Sequence, residues 1–374
     1  MQQNKKSNNV METETIQKNE ARPKSLMSRG NFLNTFTRIL YFAIFFLALT
    51  ACDKNNNDSP NNPDNPDNPT NNSGKWVKKK NYPGNQNDYP IAFSINNKVY
   101  ALSSYTNHYL WEYDPTNNTW TEKKQFPGTT TPGTCFVIGN KAYIITAYSY
   151  YGADIQMWEY NSETDNWTQK TDCPVKIHIA SVSAKRVNFA FSINNKGYAG
   201  SQAYDFYEYN PETDSWKQCV NFPQVYSNDN INRGAGGIAH GSTGQNGFTV
   251  GGGYGMNYSN GSLNNWRYKT FCIYNPITNQ WTVRADFPIA IEEGISFCKN
   301  GVIYAGLGIT GTNENDRVLP GIDSKKIYKF DNDNNSWSFA LEAPIEGGGK
   351  IAVMCNGKLY IGLGGTLELW EYTF

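Results

Sequence analysis

The 374-residue chain balances 33 Lys and Arg against 33 Asp and Glu, so its formal net charge is zero. No run of basic residues stands out, which argues against a nucleic-acid partner. Tyr, Phe and Trp make up 14% of the sequence and 33 residues are Gly, a composition typical of an all-β domain with many turns.

The first 51 residues have the pattern of a secretory signal. The apolar run Ile39 to Leu49 has 11 residues, too few to cross a bilayer comfortably. Arg29 and Arg38 precede the run, and small residues follow it, which is the order that an export signal requires. A long polar stretch stands ahead of this signal and favours Met27 as the start of translation.

The end of the signal, Leu49-Thr50-Ala51-Cys52, resembles a bacterial lipobox. The resemblance implies that Cys52 becomes the first residue after cleavage and that a fatty-acyl chain such as palmitate is attached to its sulfur. The alternative is an ordinary signal peptide with an incidental Cys52. Lipidation predicts a protein of the cell envelope that contacts the membrane through its lipid alone. The expected location is the outer membrane, on its periplasmic side or at the cell surface.

Residues 52–74 are predicted to be a tether. Asp53 to Gly74 contains no hydrophobic residue, so it cannot bury apolar surface and is expected to be disordered. Asn-Pro and Asp-Pro steps stiffen it. At roughly 3.3 Å per residue the tether would reach at most about 70 Å. The globular domain is predicted to occupy residues 75–374.

A Trp-bearing unit recurs five times along this domain. Each copy begins with an alternation of apolar and aromatic residues, passes through a turn rich in Asn, Asp or Pro, and reaches a Trp. The pattern predicts two strands joined by a tight turn. The copies are Trp111 to Trp120, Trp158 to Trp167, Phe206 to Trp216, Phe271 to Trp281 and Ile327 to Trp337.

A second shared feature is a tight polar turn followed by an aromatic strand. Asn-Gly and Asn-Asn-Lys sequences favour the positive φ angles of two-residue hairpins. With the Trp-bearing unit, this hairpin gives four strands per repeat. The six turns are Asn96-Asn97, Gly139-Asn140, Asn194-Asn195, Asn246-Gly247, Asn300-Gly301 and Asn356-Gly357.

These repeats, with a period from 43 residues upward, resemble the kelch family of β-propellers. The double glycine typical of that family stands at Gly252-Gly253 and Gly364-Gly365. The resemblance covers Lys75 to Phe374 and implies an all-β, six-bladed propeller with four antiparallel strands per blade. The resemblance to this family rests on the agreement of six copies, because no single copy would be sufficient to identify it.

The two ends of the domain complement each other. Trp76 to Pro83 reads as an outer strand that no inner strand precedes, and the last repeat ends after its third strand, Leu367 to Tyr372. We therefore predict that Trp76 to Tyr82 completes blade 6 and closes the ring, which leaves only short, protected edges. The expected state is a monomer.

Long connections predict where this propeller binds. They join second to third strands, or one blade to the next, and so lie on one face. Long loops on a rigid scaffold are where binding usually resides. The four longest of these connections all belong to blades 3–5. We therefore predict that the loop face of these blades recognises a glycan or a protein partner. The four connections are Pro174 to Lys185, Pro223 to Asn232, Gly253 to Lys269 and Ile309 to Lys325.

The register of the inner strands predicts which side chains surround the channel mouth. Arg pairs suit carboxylates and phosphates, whereas carboxylates and aromatic rings suit sugar hydroxyls. The alternative is that these charges pair with one another and hold neighbouring blades together. The predicted ligand-binding residues are Asp88, Arg186, Arg233, Tyr254, Trp266, Glu292, Glu293 and Arg317, and Tyr258, Arg267 and Asp316 could extend the surface.

Candidates for catalysis are few. Some kelch propellers are copper oxidases, but nothing in the sequence places a pair of Tyr beside His108 and His178, so we predict neither a metal nor another cofactor. A bacterial branch of the family comprises sialic-acid mutarotases, also called N-acetylneuraminate epimerases, which use a Glu and an Arg near the mouth. That resemblance implies an enzymatic alternative in which Glu292 or Glu293 acts with Arg186 or Arg233.

Six cysteines are scattered through the repeats. The sequence contains no Cys-x-x-Cys, which argues against a zinc site. Most of them are predicted to be buried thiols that pack as small apolar groups.

Overall fold

The structure, a computed structural model, describes residues 74–104, 107–146, 148–149, 155–175, 185–201, 205–223, 238–252, 267–311 and 321–374. For residues 148–149 and 185–186 it describes the backbone alone. The signal segment and Cys52 lie outside these ranges, as does the tether except for Gly74. The described residues belong to one compact unit, Thr70–Phe374. They contain no helix, and thus none long and apolar enough to cross a membrane.

Six antiparallel four-stranded sheets account for most of the described residues. We name them blades 1 to 6 and give their strands from the innermost outward. Blade 1 contains Ile91–Ile95, Lys98–Leu102, Leu110–Asp114 and Thr119–Lys123. Blade 2 contains Pro132–Ile138, Lys141–Thr146, Ile155–Asn161 and Asn166–Cys173. Blade 3 contains Phe189–Ile193, Lys196–Gly200, Phe206–Asn210 and Ser215–Gln218.

The other three blades repeat this order. Blade 4 contains Ala239–Ser242, Gly247–Val250, Phe271–Asn275 and Gln280–Val283. Blade 5 contains Ile295–Lys299, Val302–Gly306, Lys326–Asp331 and Ser336–Glu342. Blade 6 contains Ile351–Cys355, Lys358–Gly362, Leu369–Thr373 and, as its outermost strand, Lys75–Lys78.

Among the described residues, two small sheets stand outside the blades. Tyr148–Ser149 pairs with Lys185–Arg186. The second sheet has three two-residue strands and is called the mouth sheet below, because it lies where the chain enters the innermost strand of blade 5. Its strands are Ile291–Glu292, Ile309–Thr310 and Ile322–Asp323.

The innermost strands form a closed ring. Each contacts the innermost strand of the next blade, and that of blade 6 contacts that of blade 1. Together they line a central channel of about 490 Å³. Clusters of buried apolar and aromatic side chains fill the spaces between neighbouring sheets. The molecule is therefore an all-β propeller.

The first strand of the domain belongs to the last blade. Lys75–Lys78 runs antiparallel to Leu369–Thr373, with Trp76 opposite Tyr372. The pairing continues beyond the strand, since the Tyr82 N–H donates to the carbonyl of Leu367 at 2.8 Å. The predicted pairing is thus present, and it gives blade 6 its fourth strand.

A latch between neighbouring blades explains the Trp-bearing unit. In blade 1, Asn118 Oδ1 accepts hydrogen bonds from the Tyr113 hydroxyl and from the Lys80 N–H, both at 2.8 Å. The Trp120 indole donates to the Lys80 carbonyl at 3.1 Å. Lys80 follows the outermost strand of blade 6, so the latch joins two blades. Asp165, Asp214 and Asn279 make the same pair of bonds in blades 2, 3 and 4.

The six cysteines of the domain are all free thiols. Cys173, Cys272 and Cys355 are buried, as predicted, whereas Cys135, Cys219 and Cys298 are partly exposed. Part of Cys135 is exposed, but its sulfur is desolvated, and desolvation raises the pKa of the Cys135 and Cys272 thiols to about 12. Both are therefore protonated and unreactive near neutral pH.

Candidate functional site

The mouth sheet assembles a cluster of charges from three blades. Its strand at Ile291 pairs with Tyr268 in the long loop of blade 4, and Gly308 pairs with Gly347 at the entry to blade 6. These backbone bridges tie two loops and one blade-to-blade connection together. Charged side chains from blades 4, 5 and 6 consequently meet at one side of the channel mouth.

Glu292 is committed to an ion pair with Arg267. Its Oε1 accepts hydrogen bonds from Arg267 Nε at 3.0 Å and from Nη2 at 2.7 Å. The two side chains are only 16% and 11% exposed. A charge-assisted pair in such a place fastens the loop of blade 4 to the mouth sheet. Glu292 therefore makes an ion pair of the kind that the charge-pairing alternative describes, but its partner is Arg267 of the long loop and not one of the predicted mouth arginines.

Glu293, the next residue, is solvent-exposed and differently placed. Its φ of +53° lies in the left-handed region, where a side chain other than glycine is strained. Partial desolvation raises the pKa of its carboxyl, and the neighbouring charge of Glu292 raises it further, whereas Lys350 and Arg267 oppose the shift. A carboxyl with a raised pKa at a channel mouth is suited to exchange protons with a ligand.

Lys350 stands where the mouth narrows into the channel, and it belongs to the channel lining. Its Nζ donates to the carbonyl of Gly364 at 2.7 Å and to that of Gly348 at 3.2 Å. Burial lowers the pKa of this amine, while the nearby Asp323 and Glu293 carboxylates partly restore it. Lys350 thus lies close enough to Glu293 for the two charges to influence each other, although its amine bonds to backbone carbonyls and not to that carboxylate.

Asp88 is placed for a structural role. Its side chain is buried, at 2% exposure, and Oδ2 accepts a hydrogen bond from the Asn85 N–H at 3.1 Å. Burial, and next the charge of Asp88, raise the pKa of the Tyr82 hydroxyl. Asp88 thus lies beneath the surface and fastens the turn that leads from the N-terminal strand into blade 1.

The other predicted ligand-binding residues cannot be placed in this cluster. The structure describes the backbone of Arg186, which pairs with Tyr148, but not its side chain. Arg233, Tyr254, Trp266 and Arg317 lie outside the described residues, as do Tyr258 and Asp316. Their roles stay predictions.

A histidine, His240, belongs to the channel lining. In each blade, one residue of the innermost strand lies opposite an aromatic residue of the second strand, and in blade 4 this pair is Gly241 and Phe248. His240 is the residue just before that pair. The other five blades have Ala, Cys or Ser at the same position. Its Nε2 lies 3.2 Å from Thr134 Oγ1 of blade 2, and its Nδ1 lies 3.0 Å from the Ile238 carbonyl. A carbonyl only accepts, so Nδ1 carries the proton and Thr134 donates to Nε2. Burial lowers the imidazole pKa, which keeps His240 neutral.

The sequence matches no known protein family, and no curated protein matches it. Many solved structures resemble the fold. One of them, titled "Structure of YjhT", superposes with a TM-score of 0.59 at 16% sequence identity. The match covers 79% of this chain and 95% of that chain. At this identity, the likeness shows a shared fold and carries no activity with it.

Proposed function

We propose that this chain is a lipid-anchored, kelch-type propeller of a bacterial envelope and that it binds a glycan at its channel mouth. The observation that carries the proposal is the contrast between two adjacent carboxyls. Glu292 is paired with Arg267, whereas Glu293 is exposed, strained and raised in pKa. Backbone strain persists only where its surroundings enforce it, and it concentrates at binding sites.

Sugar recognition fits the groups that meet here. Glycan hydroxyls donate hydrogen bonds to carboxylates, and the amine of Lys350 can donate to ring and hydroxyl oxygens. The predicted loop surface of blades 3–5 would extend such a site, and the described cluster adds blade 6 to it. A protein partner is the competing occupant of the same face.

An array of glycans incubated with the full-length chain in detergent tests this proposal. We expect binding of at least one glycan class, and a loss of about tenfold or more in affinity for Glu293→Gln, which removes a charged acceptor. Glu163→Gln is the matched control, because Glu163 is an exposed residue in a turn on the opposite face. If the array shows no binding, or both variants bind like the wild type, glycan recognition at this mouth is wrong.

A second candidate is sugar mutarotation, the activity of the sialic-acid mutarotase type. The raised pKa of Glu293 specifically favours it. Anomerisation removes a proton from the anomeric hydroxyl, breaks the bond between the anomeric carbon and the ring oxygen, and protonates that oxygen. The ring then closes on the other face of the carbonyl carbon, with no net gain or loss of atoms or electrons. A carboxyl that titrates closer to neutral pH can give and take these protons.

Anomer exchange measured by NMR separates the two candidates. An enzyme would accelerate exchange of a reducing sugar, and Glu293→Gln would slow turnover by about a hundredfold while changing the Michaelis constant much less. A pure binding protein would leave the exchange rate at its value in buffer. Catalysis that survives unchanged in Glu293→Gln would exclude Glu293 as the proton donor and acceptor.

A further inference from the structure

Three exposed side chains lie side by side over three consecutive glycines, Gly347 to Gly349. A Cβ atom on Gly347 would lie 3.1 Å from the carboxylate of Asp323, and one on Gly348 would lie 2.6 Å from Glu293 Oε2. A Cβ on Gly349 would lie 2.5 Å from Tyr89 Cδ1. The three glycines therefore seat these side chains, and any larger residue would push one of them away.

The row joins three parts of the molecule. Asp323 comes from the mouth sheet, Glu293 from the entry to blade 5, and Tyr89 from the entry to blade 1. Tyr89 is 43% exposed and has a φ of +41°, so it shares with Glu293 a strained backbone that is rare for a bulky residue. Two residues with positive φ thus lie over one glycine floor, where the surrounding structure holds their side chains in place.

We propose that the row Asp323–Glu293–Tyr89 is a subsite for one neutral pyranose ring. The proposal rests on glycan binding at the mouth and deepens it by naming the sugar class and a residue that selects it. The exposed part of the Tyr89 side chain, 43% of its surface, can contact the apolar C–H surface of a pyranose. Glu293 and Asp323 offer acceptors for the hydroxyls at the ring's edge.

The dimensions of the row fit a single ring. Its floor spans three residues, so the first and third Cα atoms lie at most about 7 Å apart. Both Tyr89 Cδ1 and Glu293 Oε2 lie within 4 Å of the Cβ position of Gly349, at 2.5 and 3.8 Å. One sugar can therefore touch the aromatic face and the carboxylate together.

Charge decides between neutral and acidic sugars at this row. The carboxylate of an acidic sugar would stand beside Glu293 and Asp323, and like charges in a partly desolvated place repel. Desolvation and the charge of Glu292 raise the pKa of Glu293, and Asp323 adds to them, while Lys350 and Arg267 oppose the shift. Arg267 is paired with Glu292 and the Lys350 amine bonds to two carbonyls, so the carboxylates are the groups of the row that face the sugar. A neutral pyranose brings hydroxyl donors to the same acceptors and meets no such penalty.

Saturation-transfer NMR with the full-length chain tests the proposal. The probes are methyl glycosides of glucose, galactose and N-acetylglucosamine, and the methyl glycoside of N-acetylneuraminic acid. We expect a neutral glycoside to bind more tightly than the acidic one. Tyr89→Ala should weaken it about tenfold, whereas Tyr89→Phe keeps the ring and should stay within about threefold of the wild type. Phe339→Ala is the control, since Phe339 is an aromatic residue 47% exposed on the outermost strand of blade 5.

The outcomes separate this proposal from glycan binding as such. If Glu293→Gln weakens a neutral glycoside while Tyr89→Ala leaves it unchanged, the mouth binds sugars and the Tyr89 subsite is wrong. Preferential binding of the acidic glycoside also overturns the subsite. Binding of none of the four probes, together with an empty glycan array, overturns both proposals.

Discussion

At the scale of the residue, the ionisation of Glu293 affects the stability of the folded chain. In the folded chain its carboxyl binds a proton more tightly than in the unfolded chain, because its surroundings disfavour the charged form. Between the ordinary pKa of 4.5 and the raised value, the folded state holds more protons than the unfolded state. Stability therefore falls as pH rises through this window, and the full penalty is present above it.

Replacing Glu293 by Gln should thus stabilise the protein at neutral pH. Gln cannot ionise, so the melting temperature of Glu293→Gln should exceed that of the wild type at pH 7 to 8. The difference should shrink below the ordinary pKa of 4.5, where the wild-type carboxyl is protonated in both states. Thermal melts across pH 3 to 8 measure this, with Glu163→Gln as control. A melting temperature that drops at pH 7 would mean that attraction to Lys350 and Arg267 prevails.

Cys52 carries the prediction of membrane attachment. Express the full-length wild type and Cys52→Ala in a bacterial host and partition the membranes with a phase-separating detergent. The acylated wild type should enter the detergent phase, and Cys52→Ala should lose that preference because an acyl chain contributes about 0.8 kcal/mol per buried CH₂. Equal partitioning of the two proteins would show that Cys52 is incidental.

The site could be predicted from sequence only where it follows the repeat. The register of the inner strands predicts Glu292 and Glu293 at the channel mouth, and the structure has both where the chain enters the innermost strand of blade 5. Their role in binding stays a prediction. The Arg267 contact could not be assigned, because it depends on how a long loop folds onto blade 5. The repeat pattern also gives no reason to name Tyr89 and Asp323, the two further residues of the proposed subsite. Three consecutive glycines were the available signal, since such a run permits close approach by neighbouring side chains.

At the scale of the element, the residue at the centre of each latch must meet two demands. It must adopt a positive φ angle, and it must present a side-chain oxygen to the neighbouring blade. Asn118, Asp165, Asp214, Asn279 and Asn335 all have φ near +50° and all offer a side-chain oxygen across the blade boundary. Asn and Asp tolerate this conformation better than other residues with a Cβ. Blade 5 has Phe330 in place of the tyrosine, and there Arg284 Nε donates to Asn335 Oδ1 at 2.9 Å instead.

Substitutions at Asn118 should separate these two demands. Asn118→Asp keeps the acceptor and should cost less than about 1 kcal/mol, since Asp165 and Asp214 do the same work in this chain. Asn118→Gly keeps the backbone conformation but loses two hydrogen bonds, which should lower the free energy of unfolding by roughly 1 to 3 kcal/mol. Asn118→Ala adds strain and should be the least stable. Urea denaturation gives the order, and equal stability of the three variants would exclude the latch.

Hairpins were the elements most accurately predicted. The Asn96-Asn97, Asn194-Asn195, Asn300-Gly301 and Asn356-Gly357 turns all have positive φ at both residues, as the sequence indicated. The mouth sheet was not predicted, because its strands have two residues each and leave no periodic pattern. Blade 4 differs from the other blades at this turn. Its first two strands are joined by a wider turn, closed by a hydrogen bond between Thr243 and Asn246, and not by a two-residue hairpin.

The whole molecule depends on contacts between sequence-distant strands. The ring closes because the chain's first strand completes its last blade, and the six innermost strands then meet around one channel. Repetition alone predicts this architecture, since each repeat must bury both faces of its sheet against neighbours. What repetition cannot predict is where one copy departs from the others, as His240 does in the channel.

Ring closure gives the largest expected effect on stability. Trp76 packs on Tyr372 with ring centroids 4.7 Å apart, and its indole donates to the Glu342 carbonyl of blade 5 at 2.8 Å. Tyr82, at 2% exposure, packs against Trp120 of blade 1. The N-terminal segment thus binds blades on both sides of blade 6. Removing one buried aromatic side chain costs roughly 3 to 5 kcal/mol, so losing this segment should cost more.

A chain that begins at Asn85 lacks that segment, whereas one that begins at Ser73 retains it. Without Lys75–Lys78, the strand Leu369–Thr373 becomes an exposed edge, and unpaired edges promote aggregation. We expect the Asn85 chain to be insoluble or to melt far below the Ser73 chain, and the Ser73 chain to melt like the full-length protein. Light scattering and thermal melts measure both. The contrary outcome is an Asn85 chain that is soluble and melts within a degree or two of the Ser73 chain. Because the blades would then keep their packing without the N-terminal strand, that strand could not be what holds the ring closed.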